Sequence, residues 1–100
     1  MQKKIYISGQ ISGLTPEQYA PLFLAAEKRL KEQGYDVVNP LNNGVAPGEP
    51  WQEHMKADIR LLLECDEIYM LPNWEVSTGA NLERSIAQNL GLEIRYERQP

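Results

Sequence analysis

Short runs of β-branched and aromatic residues alternate along this chain with stretches whose apolar positions recur every three or four residues. Lys4 to Ser8 predicts a strand, ended by the loop Gly9-Gln10-Ile11-Ser12-Gly13. Thr15-Pro16-Glu17-Gln18 has the form of a capping box with proline at the first helical position. The helix it opens carries Tyr19, Leu22, Phe23, Ala26 and Leu30 as its apolar stripe and stops at Gly34. Tyr35 to Val38 predicts a second strand, and Trp51 to about Glu64 a second helix with Trp51, Met55, Leu62 and Cys65 on one face. Between them, Asn39 to Pro50 holds three prolines and two glycines, a length and composition that suggest a lid or binding loop. A third strand is predicted over Glu67 to Leu71, a loop over Pro72 to Val76, a helix from Ser77 to about Leu90 and a last strand near Leu92 to Tyr96.

Strands alternating with helices predict an α/β fold: a small open parallel sheet of the flavodoxin-like or Rossmann-like kind, with helices on both faces. The expected strand order is 2-1-3-4. The loops after Ser8 and Leu71 then diverge and leave a crevice at the carboxyl ends of the strands. No internal repeat or linker divides the sequence, so residues 1–100 are expected to form a single domain.

Two carboxylates break the apolar pattern. Ile86, Ala87 and Leu90 lie three, four and seven residues beyond Glu83, which therefore shares the stripe expected to face the sheet. Asp58 falls between Met55 and Leu62 on the buried face of the second helix. An uncompensated buried carboxylate costs roughly several kcal/mol, so each must be paired, hydrogen-bonded, protonated or turned toward a cavity. Ser77 as helix cap and Gly79 behind it add free amide donors close to Glu83, a setting suited to an anion.

Each of these residues also has a structural reading. Glu83 can face outward or pair with Arg84 or Lys56, and Asp58 can bond a backbone amide or Arg60. His54 can be a solvated helix residue or a partner of Asp58. Gly9 and Gly13 can serve as turn glycines, Trp74 can pack or stack on a base, and Tyr6 can reach the crevice or the opposite layer.

Composition narrows the function classes. The 100 residues are 42% hydrophobic and 24% charged with a formal charge of −4, as suits one soluble domain and not a general nucleic-acid or acidic-membrane binder. The single Cys65 excludes an internal disulfide and points to a reducing, cytoplasmic setting, and no His/Cys cluster has metal-ligand spacing. No apolar run is long enough for a signal core or a membrane span.

Taken together, Lys4-Ile5-Tyr6-Ile7-Ser8-Gly9, Met55-x-x-Asp58-Ile59, Cys65-Asp66 and Ser77-x-Gly79-x-x-x-Glu83 resemble the nucleoside 2-deoxyribosyltransferase superfamily, and its small phage-type members most. The resemblance implies that Glu83 is the nucleophile on the anomeric carbon, that Asp58 assists the departing base and that Tyr6 orients the glutamate. Ser8, Gly9, Gln10, Ser12, Gly13, Trp74, Ser77 and Gly79 are the expected substrate-binding residues. Ser77 stands where nucleoside transferases carry an aspartate for the 5′-hydroxyl, and this resembles the branch that cleaves 2′-deoxynucleoside 5′-monophosphates and meets phosphate with serine. Asn81 stands where the superfamily usually has glycine.

The expected function is cleavage or transfer at an N-glycosidic bond, hydrolase ahead of transferase, with no metal or organic cofactor. The alternatives are a non-catalytic nucleotide-sensing module and a small interaction protein that has kept the fold. The expected partners are a small nucleotide or nucleoside and at least one further copy of the chain, with no polynucleotide and no membrane.

Overall fold

Residues 2–97 are described by a computed structural model. Four strands, β1 (Lys4–Ser8), β2 (Asp36–Val38), β3 (Glu67–Met70) and β4 (Glu93–Tyr96), alternate with helices α1 (Pro16–Glu32), α2 (Trp51–Leu63) and α3 (Thr78–Leu90). The strands form one parallel sheet in the order β2-β1-β3-β4, as the alternation predicted. Single 3₁₀ turns at Pro40–Asn42 and Trp74–Val76 interrupt the loops that follow β2 and β3.

Strand parity distributes the core over two faces. Ile5 and Ile7 point with Leu71 toward Phe23, Ala26 and Leu30 of α1. Tyr6, Ile68 and Met70 point the other way, toward Leu62 of α2 and Ala80 and Ala87 of α3. Ser8 is two residues beyond Tyr6 and is also buried. The α3 side of the sheet thus receives two hydroxyls from one strand.

The helices begin and end as their sequences require. In α1 the Gln18 side chain accepts the Thr15 N–H at 2.9 Å, completing the predicted capping box. Ser77 caps α3 by accepting the Ala80 N–H at 3.1 Å, and Gly91 ends it in the left-handed conformation. Three predicted stripe positions are exposed: Leu22 at 41%, Trp51 at 42% and Leu90 at 58%. The buried arc of α1 is narrower than its apolar arc, while Trp51 and Leu90 stand at the first position of α2 and the last of α3.

One buried charge had no sequence signal. Glu67, at the amino end of β3, accepts from Tyr35 Oη at 2.9 Å and from Arg95 Nε at 2.6 Å, and Lys3 Nζ stands 3.8 Å from its other oxygen. The register that sets Tyr69 opposite Arg95 brings that guanidinium beside it.

Candidate functional site

At the carboxyl ends of β1 and β3 the chain leaves the sheet in opposite directions, and a cavity of about 810 Å³ opens there. Its walls come mainly from the loop after β1, the loop between β2 and α2, and the facing surfaces of α2 and α3, with Tyr6 of β1, Tyr19 of α1 and Val76 ahead of α3 completing them. Gln10 N–H donates to Asn73 Oδ1 at 3.2 Å, tying the first of these loops to the one that follows β3.

Glu83 lies on the cavity wall, 4% exposed, in line with Ala80 and Ala87 on the buried stripe of α3. Tyr6 Oη donates to one carboxylate oxygen at 2.8 Å and Ser8 Oγ donates to the other at 2.7 Å. Neither proposed structural partner is used: Arg84 donates to Tyr96 Oη, and Lys56 pairs with Glu53. Burial pushes the Glu83 carboxyl up to about 7; the two hydroxyls work against that rise, and the charge of Asp58 adds to it. The free amides at the start of α3, close to Glu83 in sequence, do not offset this burial. Glu83 sits in the second turn, beyond the reach of the free amides of the first.

Asp58 lines the same cavity from α2, buried at 6% exposure. Desolvation raises its carboxyl, opposed by a hydrogen bond from Asn43 and by His54. Asn43 Nδ2 donates to Asp58 Oδ1 at 2.8 Å and lies 3.2 Å from His54 Nδ1, while Asn43 Oδ1 accepts the Val45 N–H at 2.9 Å. Asn39, at the start of the same loop, donates to Glu27 of α1 at 2.9 Å. Two asparagines thus pin the Asn39–Pro50 loop, one to each flanking helix, and set Pro40, Leu41 and Asn43 in the cavity wall.

The other predicted site residues divide. Gly9, Ser12, Gly13, Ser77 and Gly79 line the cavity. Ser8 stands behind Glu83 and Gln10 is turned aside, its Nε2 donating to the Ser12 carbonyl at 3.2 Å. Trp74 is not on the wall. Its ring is 5.9 Å from that of Tyr96 and is covered by the Arg84 guanidinium at 5.0 Å, which engages it in packing. The aromatic residues on the wall are instead Tyr6, Tyr19 and Trp51. Asn43 and His54 were not singled out as site residues by the sequence, because their meeting depends on how the loop folds back on α2.

At the first turn of α3 the amides of Thr78 and Gly79 have no helical carbonyl to bond, as at any helix start, and both residues face the cavity. Gly79 also lets the helices approach: a Cβ there would lie 3.1 Å from Met55 Sδ. Among the described residues no group of three or more His, Cys, Asp or Glu is placed to hold a metal ion, and no helix is long and apolar enough to cross a membrane.

Residues 3–96 match the family model described as a domain of unknown function, DUF4406. No curated protein matches the chain. Among solved structures, a 2-desoxiribosyltransferase from Leishmania mexicana superposes with a TM-score of 0.65 at 23% identity, over 94% of this chain and 63% of that one. The two share their fold, and the present chain spans less than two thirds of the other's length.

Proposed function

We propose, from the premise that the chain belongs to the DUF4406 family, that it cleaves or transfers the N-glycosidic bond of a 2′-deoxynucleoside 5′-monophosphate or deoxynucleoside through Glu83. The observation that carries this reading is a buried carboxylate held at both oxygens by the Tyr6 and Ser8 hydroxyls, in a cavity with a second carboxylate, Asp58, on another wall. A Glu83 oxygen bonds to the anomeric carbon while the C1′–N bond breaks, and its electron pair leaves with the base. Asp58 gives its proton to that base. Water then attacks the glycosyl ester, returns a proton to Asp58 and frees Glu83; a second base in place of water makes the reaction a transfer. The likeness in fold to a deoxyribosyltransferase supports the same class of chemistry. Hydrolysis is the favoured outcome and the cytoplasm the proposed setting. Chromatography of a panel of deoxynucleoside 5′-monophosphates and deoxynucleosides after incubation tests the reading, and no free base from any of them overturns it.

Ser77 favours a phosphate. Its oxygen accepts from Ala80, which leaves its O–H to donate, beside the free amides of Thr78 and Gly79. Bonds to an ionised group are worth roughly 1.5–3 kcal/mol each. Ser77→Ala is therefore expected to weaken monophosphate binding about tenfold or more with little change for the nucleoside. Ser77→Asp is expected to reverse the preference. Calorimetric titration of both ligands decides it, and equal affinity in the wild type would replace the phosphate with a 5′-hydroxyl.

A homodimer is the proposed assembly. Trp51 and Val76, 42% and 74% exposed, stand on the cavity wall, and the sheet has open edges at β2 and β4. Light scattering should give twice the chain mass; a fully active monomer would contradict the assembly.

A further inference from the structure

The nucleophile and the phosphate pocket leave one feature of the cavity unused: the contact of Asn43 with both Asp58 and His54. The Val45 N–H is a donor and nothing else, so the Asn43 atom 2.9 Å from it must be the amide oxygen. The other end of that amide is then the NH₂ group, with one hydrogen for Asp58 Oδ1 at 2.8 Å and one for His54 Nδ1 at 3.2 Å. Each recipient is thereby fixed. The carbonyl oxygen of a protonated carboxyl is the stronger acceptor, so the Asn43 bond to Oδ1 favours a proton of Asp58 on Oδ2. A His54 Nδ1 that accepts is bare, so the neutral ring carries its proton on Nε2. Both residues line the cavity.

We infer that Asn43 is a positioning residue: it holds Asp58 and His54 in the protonation arrangement that presents two donors, Asp58 Oδ2–H and His54 Nε2–H, to acceptor atoms of the leaving base. The inference rests on the N-glycosidic reading and adds the part that selects the leaving group. The substrate side it matches is a heterocycle with two acceptors on one edge. Asp58 delivers its proton to one of them as the C1′–N bond breaks, and His54 remains hydrogen-bonded to the other. Asn43 acts through these two side chains and neither takes up nor gives a proton itself. It acts from a loop residue whose own backbone neighbour, Val45, locks its amide in one orientation.

The test compares a natural base with a leaving group that needs no proton. In Asn43→Ala, release of base from a deoxynucleoside monophosphate should fall at least about tenfold more than release of 4-nitrophenolate from the matching 4-nitrophenyl deoxyriboside 5-phosphate. Asp58→Asn should show the same bias, and the double variant should lose little more than either alone. Equal losses for both compounds in Asn43→Ala would reduce Asn43 to a loop anchor and overturn the inference. A second readout is independent of turnover. The chain has a single histidine, so the imidazole nitrogens of the untagged protein give one unambiguous set of ¹⁵N resonances. The wild type should show an unprotonated Nδ1 when the ring is neutral, and Asn43→Asp, which offers a carboxylate in place of the amide, should move a proton onto Nδ1. A wild-type proton on Nδ1, or identical spectra in the two proteins, would also overturn it. A wild type inert toward both compounds would defeat the glycosidic reading, while the spectra still decide what Asn43 holds.

Discussion

Glu83→Gln should lose base release by at least about a thousandfold, yet be more stable than the wild type above neutral pH. The two effects have one origin. In the folded chain Glu83 keeps its proton up to about 7, against an ordinary value of 4.5, because burial penalises the charge more than the Tyr6 and Ser8 hydroxyls repay. Between those values the folded state binds a proton that the unfolded state has released, so stability falls as pH rises through that window. Once the group is ionised in both states, the cost is about 3 kcal/mol. Glutamine carries no such cost. Its melting temperature at pH 8 should exceed the wild type's by about 15 °C, and the gap should close below pH 4.5, where both states of the wild type are protonated. Turnover on monophosphates should follow the opposite course, declining as pH drops through about 7 and the nucleophile takes up its proton. Melting curves at several pH values, paired with chromatographic rates, check both parts. Equal turnover in wild type and variant would sink the assignment of Glu83, and a stability difference independent of pH would sink the account of its charge.

A second large effect is expected at Gly9, where catalysis is not involved. A Cβ at this position would lie 2.7 Å from Leu71 Cδ1 and 2.9 Å from Leu71 Cβ. Leu71 cannot retreat: it is fully buried and its N–H is held by the Ser8 carbonyl at 2.8 Å. Gly9→Ala should therefore cost about 1–3 kcal/mol by overpacking. Gly13→Ala differs in kind, since Gly13 has a φ of +88° and its nearest obstacle is the end of the flexible Gln10 side chain, 3.4 Å away. Its cost is conformational, about 1 kcal/mol. Urea unfolding of both variants separates the cases. A neutral Gly9→Ala would show that the two loops need not touch, and would leave ligand contact as the reason for glycine there.

The fold was legible because its two kinds of segment are distinct. The short β-branched and aromatic run of Lys4 to Ser8 and the period near 3.6 in Thr15 to Gly34 differ enough to be told apart, and parallel alternation leaves few sheet orders. Glu83 and Asp58 stood out for the same reason, as charges on apolar stripes, and both are buried. What was not legible depends on distant pieces of chain meeting. Asn43 finds Asp58 only once the proline-rich loop has folded back over α2, and the partners of buried Glu67 arrive from elsewhere, Tyr35 from just before β2 and Arg95 from β4. Trp74 was misplaced because a tryptophan in a crevice loop gives no sign that Arg84 and Tyr96 will occupy its faces. The raised pKa of Glu83 was not legible either, because proximity to a helix start in sequence is not contact with its amides.

The helix that carries both Ser77 and Glu83 also acts as a ruler. An α-helix rises about 1.5 Å per residue, so the free amide of Gly79 and the side-chain position of Glu83, four residues on, are about 6 Å apart along the axis. No loop separates them, and neither can drift relative to the other without breaking backbone hydrogen bonds. On the proposed reading, a ligand anchored by an anionic group at the first turn meets the carboxylate only if its electrophilic atom lies one fixed span away. Selection by this site is then partly a selection by length: the distance between charge and reacting carbon is read against a rigid rod whose spacing the sequence sets by counting residues.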